Sequence, residues 1–110
     1  MRSEAVLWVA QRASAALLAL CVVVHLVTIV YAVQGGLTGA EILARTRGSS
    51  AWLVFYTVFV VAAAVHAPIG LRAVFGEWLG WGGRSRDVAL LFFAVLLVWT
   101  GMTAVLAVFA

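Results

Sequence analysis

The chain has 110 residues, 66% of them hydrophobic and 10% charged, with a mean hydropathy of +1.18. A soluble domain is roughly half apolar and about a quarter charged, so an ordinary soluble domain, a disordered tail and a disulfide-stapled module are excluded; Cys21 is alone and closes no internal disulfide. The net charge of +3 comes from seven Arg and no Lys against four acids, and in so apolar a chain it encodes membrane topology rather than nucleic-acid binding.

A spanning helix needs about 20 mostly apolar residues, and the first such run covers about 13–33. Arg2, Trp8 and the string Gln11-Arg12-Ala13-Ser14 precede or open it. The run is longer than the apolar core of a secretory leader and continues through Val30-Tyr31-Ala32-Val33, so it reads as a span rather than a cleaved signal. At helical spacing Ser14, Leu18, Cys21, His25 and Thr28 share one face, and the rest is Val, Leu and Ala.

The connector 34–50 carries a capping-box pattern, Thr38 followed by Glu41, then Ile42-Leu43-Ala44-Arg45 and Gly48 as a stop. This predicts a short interfacial helix over about 39–47. The second span covers about 51–71 and contains His66 among Ala62, Ala63, Ala67 and Gly70, beside Pro68 and ahead of Arg72. That strip of small residues allows close helix approach and equally leaves room for a flat macrocycle. After the connector 72–87, with Arg84, Arg86 and Asp87, the third span runs over about 88–109. The expectation is one transmembrane domain over 1–110, all-α, with no repeat or linker.

Arg2, Arg12, Arg72, Arg84 and Arg86 fall on one side of the membrane, and Arg45 and Arg47 on the other. The positive-inside rule then places the N-terminus in the cytoplasm and the C-terminus outside. Trp8, Trp52, Trp78 and Trp81 lie near span ends, where indoles favour the interface, whereas Trp99 lies mid-span and is expected inside the bundle or against a flat ligand.

An ionisable side chain at membrane depth is costly and takes a partner. For His25 and His66 the choices are a metal or haem iron, a proton path, or a hydrogen-bond acceptor on a neighbouring helix. At a rise of 1.5 Å per residue, His25 is roughly 20 Å from Arg12 and His66 about 9 Å from Arg72. If the two arginines mark one interface, the imidazoles lie at different depths and cannot clamp one iron between them. Haem ligation would then require second ligands from a partner chain and two haems at two levels. Arg12 and Arg72 sit where the carboxylates of a cytoplasm-side haem would point, and guanidinium binds carboxylate well at a partly dry interface.

The string His66-Ala-Pro-Ile-Gly70-Leu-Arg72, with Glu77 shortly after, resembles the second-helix signature of the succinate dehydrogenase and fumarate reductase cytochrome b membrane anchors. Gln11-Arg12-Ala13-Ser14 is similar to that family's entry to its first helix, an Arg-x-Ser preceded by a polar residue. The resemblance covers nearly the whole chain. It implies three transmembrane helices forming half of a haem-binding bundle, with His66 an axial ligand of haem b and Arg72 near its propionates. Arg12 and Ser14 would lie near a quinone. The serine that single-haem anchors offer one turn before the arginine is Trp8 here, which would instead wall the quinone pocket.

His25 matches the di-haem members of the family, and two haems per pair of anchors are expected rather than one. A second anchor chain, homologous or a copy of this one, would supply the other ligands. The implied partners are the iron–sulfur and flavoprotein subunits, docked near Arg84, Arg86 and Asp87, with membrane lipid around the spans. The implied role is a non-flavin subunit of an oxidoreductase in a bacterial-type inner membrane, exchanging electrons with quinone. The isolated chain would not be an enzyme. The rival readings are a holin- or channel-like helical protein, which needs no intramembrane histidine, and the cytochrome b anchor of another dehydrogenase. A compact proton-coupled exporter would need a carboxylate at membrane depth, and none is present in the spans.

Overall fold

The computed structural model describes residues 2–110. Helix α1 (Arg2–Gln34) is followed by the short α2 (Gly39–Thr46), then α3 (Ser50–Leu79) and α4 (Arg84–Phe109). Three of these are long and apolar enough to cross a membrane. The protein is an all-helical membrane protein.

Each turn follows from local chemistry. Gly36 closes α1 in the left-handed region (φ 63°), where its N–H donates to Val33 O and that of Leu37 to Ala32 O. Thr38 and Glu41 form the reciprocal capping box at the start of α2, Thr38 N–H donating to Glu41 Oε2 at 2.7 Å and Glu41 N–H to Thr38 Oγ1 at 3.2 Å. Ser49 caps α3 through the N–H of Trp52, and left-handed Gly80 ends it. The far end of α2 is fastened to α4: Thr46 Oγ1 donates to Val108 O at 2.8 Å and Gly48 N–H to Phe109 O at 2.9 Å. Carbonyls in the last turn of a helix have no partner within it, and Thr46 of α2 and Gly48 just beyond it serve two of those of α4.

The long helices extend beyond the hydropathic runs. α1 begins at Arg2, well ahead of about residue 13, and α3 runs through Pro68 and Arg72 to Leu79. A helix of 33 residues is about 50 Å long, well over the roughly 30 Å hydrocarbon layer. Its ends therefore reach into headgroups and water, where charged residues continue the helix without a desolvation cost.

α3 lies in the middle, packed against α1 on one side and α4 on the other. The face of α1 turned to it is the one with Ser14, Leu18, Cys21, His25 and Thr28, and Ser14 and Cys21 are buried. On α4 the seam runs through Leu90, Ala94, Leu97, Gly101 and Val105, at helical spacing. Trp99 falls between these positions and is 73% exposed, so it faces away from the chain's own interior rather than into it. The buried core combines small side chains, Ser14, Cys21, Ala62 and Ala64, with Leu90 and Val105, and most large apolar residues point outward. In lipid, association of this kind rests on close van der Waals contact.

The tightest glycine is Gly101, where an added Cβ would lie 2.7 Å from Val60 Cγ1. Alanine usually stabilises a helix relative to glycine by about 1 kcal/mol, but here Gly101→Ala is expected to cost about 1–3 kcal/mol through overpacking. Gly39→Ala, with nothing within 4 Å, should be tolerated. Thermal unfolding in detergent checks this; an unchanged midpoint for Gly101→Ala would contradict the seam.

Candidate functional site

The two histidines lie on neighbouring helices and are held in the same way. His66 of α3 has Nδ1 3.4 Å from Ser14 Oγ of α1. His25 of α1 has Nδ1 3.4 Å from the Tyr56 hydroxyl of α3. The helices are antiparallel, so about three turns up α1 from Ser14 to His25 match about three turns back along α3 from His66 to Tyr56. The imidazoles are thus separated by about 15 Å along the bundle, too far to bind one metal ion together.

The Ser14 hydroxyl donates its proton to Gln11 O at 3.1 Å. Its lone pair is what remains for His66, so a neutral ring would donate from Nδ1–H and keep its own lone pair at Nε2. Among the described residues Nε2 of neither histidine has a hydrogen-bond partner. An imidazole oriented through Nδ1 with Nε2 available is the arrangement found in metal-ligating histidines. No cluster of three or more His, Cys, Asp or Glu occurs among the described residues, so any metal here would bring most of its ligands with it or take them from elsewhere.

Around His66 the structure uses the small residues for packing. An added Cβ at Gly70 would lie 3.2 Å from Gln11 Nε2 of α1, and Ala62 is buried. The side of the strip at Gly70 is therefore filled by α1, and the half-buried imidazole is left at the margin of the contact. Gln11 Oε1 is buried and, among the described residues, has no hydrogen-bond partner. A groove of about 420 Å³ between α1 and α3 has Ser14, Ala62 and Val65 in its walls.

Toward the arginine-rich end, Arg72 pairs with Glu4 at 3.3 Å and lies 3.9 Å from Asp87, which also takes Arg86 at 3.0 Å. One guanidinium thus ties α1, α3 and α4 together, although exposed pairs of this kind contribute only about 0–1 kcal/mol each. Arg12 stacks over the ring of Trp8 at 5.3 Å, and both are exposed. Trp81 donates from Nε1 to Ser85 Oγ at 3.0 Å and packs on Phe75.

The surroundings of His25 are different. Phe59 and Tyr56 meet the imidazole in T-shaped contacts at ring distances of 5.7 and 5.8 Å, and Tyr56 stacks on Trp52. Two cavities of about 550 and 370 Å³ share His25, Tyr56, Ile42 and Thr46 in their walls. Volumes of this size hold small-molecule ligands and cofactors. The larger cavity is also bounded by Arg45, whose guanidinium lies 5.2 Å over the ring of Tyr31.

Ser14 and His66 are thus brought together, Arg12 and Arg72 lie toward the same end, and His25 stands apart. Tyr56, Phe59, Glu4 and Arg45 carry no motif. The antiparallel register is the signal for Tyr56, since a contact between Ser14 and His66 sets it opposite His25.

A family model described as the succinate dehydrogenase/fumarate reductase transmembrane subunit matches residues 1–109. No curated protein and no solved structure matches the chain.

In lipid bilayers, nitrogen NMR of the ring should find His66 protonated at Nδ1 and not at Nε2. Ser14→Ala should shift the population toward the other tautomer. An Nε2–H ring in the unaltered protein would contradict the assignment.

Proposed function

The chain belongs to the succinate dehydrogenase/fumarate reductase transmembrane subunit family, and from that membership and the two pinned imidazoles we propose that it is a haem b-binding anchor. The observation that carries the reading is the pair of intramembrane histidines, each engaged at Nδ1 by a hydroxyl of the neighbouring helix and free at Nε2. A histidine kept only for helix packing needs no free nitrogen, and a bare one at membrane depth is costly.

His66 and His25 would each supply one axial ligand to a separate haem, with the second ligand coming from another anchor chain. Their separation of about 15 Å supports two haems per anchor pair rather than one shared iron. The donor chemistry fits: neutral imidazole is a usual axial ligand, Ser14 is placed to accept from the Nδ1–H of His66, and with iron on Nε2 the Tyr56 hydroxyl would accept from the Nδ1–H of His25. When bound, haem supplies one-electron transfer.

The protein's own share is to fix the rings, exclude water with Phe59, Tyr56 and the small-residue seam, and place cations near the haem carboxylates. Arg72 would exchange one of its carboxylate partners for a propionate. Arg12, with Trp8 beside it, remains the residue to meet a quinone, together with the unpartnered Gln11 Oε1. Ser14 is buried and turned to His66, which supports an orienting role for it in preference to a quinone contact.

In this reading the anchor carries electrons between membrane quinone and the iron–sulfur and flavoprotein subunits, which hold the chemistry on the dicarboxylate. The soluble subunits would dock at the arginine-rich end, where Arg84 is exposed and Arg86 is paired to Asp87. That end would be cytoplasmic, in a bacterial-type inner membrane.

A reduced-minus-oxidised spectrum of the purified complex, with haem counted per chain, tests the proposal. A b-type signal is expected; His66→Ala and His25→Ala should each remove one haem and leave the other. A complex without haem would return both histidines to packing and favour a quinone-only anchor or a non-redox helical protein.

A further inference from the structure

The first connector is more elaborate than a loop between two spans requires. α2 is capped at its start by Thr38 and Glu41 and clipped at its end to the last carbonyls of α4. It is therefore held as a roof over the cavity that His25 lines, and Ile42, Arg45 and Thr46 form part of the cavity wall. An unanchored loop would lose conformational freedom each time it closed on a ligand; a fastened helix has already lost it.

Among the described residues Arg45 is the one guanidinium in that wall. The acid one turn before it, Glu41, is engaged in the capping box at 2.7 Å. Among the described residues no carboxylate lies within ion-pair reach of Arg45, and its guanidinium rests on the face of Tyr31 instead. An unpaired arginine at the mouth of an apolar cavity suits a ligand that carries an anion at its edge. The same wall offers an imidazole and the rings of Tyr56 and Trp52. The ligand complementary to this set is flat and largely apolar, has an acceptor for a nitrogen lone pair at its centre, and has a carboxylate on its rim.

We infer that α2 is the clamp of the His25-side haem, with Arg45 moving from the ring of Tyr31 to pair with a haem carboxylate. This rests on the reading of His25 as an axial ligand. The shared chemistry is guanidinium with an anion, and a lipid phosphate at the same interface is the competing source.

The test uses the whole complex in a nonionic detergent with anionic lipid removed, followed by redox titration of the haem absorbance. Arg45→Gln should lower the midpoint potential of the component that His25→Ala deletes, because losing a nearby positive charge favours the ferric state. The His66-dependent component should not move, nor should either component in Arg47→Gln. Release of the affected haem to excess apomyoglobin should be about tenfold faster, the size expected for one charge-assisted bond. Arg45→Lys, which keeps the charge and loses the forked geometry, should shift the potential less.

If His25→Ala removes a haem but Arg45→Gln changes neither potential nor release, the clamp is overturned and the ligand assignment stands. If His25→Ala removes no haem, the ligand assignment fails and the clamp with it. An Arg45→Gln effect that appears only when anionic lipid is added back would assign the arginine to lipid and overturn the clamp.

Discussion

An imidazole inside a bilayer has no water to bond, so a helix that carries one must bring it to a partner. Here α1 and α3 each carry one histidine and each supply the hydroxyl that the other helix's histidine needs. The two pairs lie about three turns apart along an antiparallel contact, so satisfying one sets the register that satisfies the other. A slip of one residue would rotate each side chain by about 100° and leave both imidazoles unpartnered. The rest of the α1–α3 contact, with Ser14, Cys21 and Ala62 buried and Gly70 close against Gln11, is small enough for the helices to approach to that distance.

The other elements build on this pair. α4 packs on the opposite side of α3 through Gly101 and Val105, and its last carbonyls hold α2 across the bundle end. At the other end Arg72 gathers carboxylates from α1 and α4. The result is a short stack of two environments. One is a packed, arginine-rich level at His66; the other is a roofed, aromatic level at His25 with open volume beside it. Two similar ligands held in such different surroundings would differ in redox potential through burial, charge and hydrogen bonding.

Much of this was legible in the residues. Uninterrupted apolar runs marked the three long helices, because the cost of an unpaired backbone in lipid leaves few alternatives. Thr38 and Glu41 announced α2, and the polar face of α1 was set by periodicity. The string from His66 to Arg72 carried the resemblance to the family whose model matches residues 1–109. Helix ends were not legible from hydropathy, which stops at the first charges while α1 and α3 continue into the headgroup zone. Trp99 was expected inside the bundle or against a flat ligand because a mid-span indole suggests it, and the α4 seam passes on the other side, which removes the first of these within the chain. The ion pairs of Arg72 join residues far apart in the chain, and only packing could reveal them. The small residues beside His66 read equally as haem space or as a helix contact, and at Gly70 the contact is what forms.

The central claim is that each imidazole is oriented by its own hydroxyl and presents Nε2 to its own haem. A redox titration of the complex carrying Ser14→Ala or Tyr56→Phe tests it most directly. A hydrogen bond accepted from Nδ1–H makes the ligand more basic and favours the ferric state, so its removal should raise the potential. The account predicts two one-electron components, with Ser14→Ala raising only that lost in His66→Ala and Tyr56→Phe raising only that lost in His25→Ala. A single component, or two variants that move the same one, would contradict it.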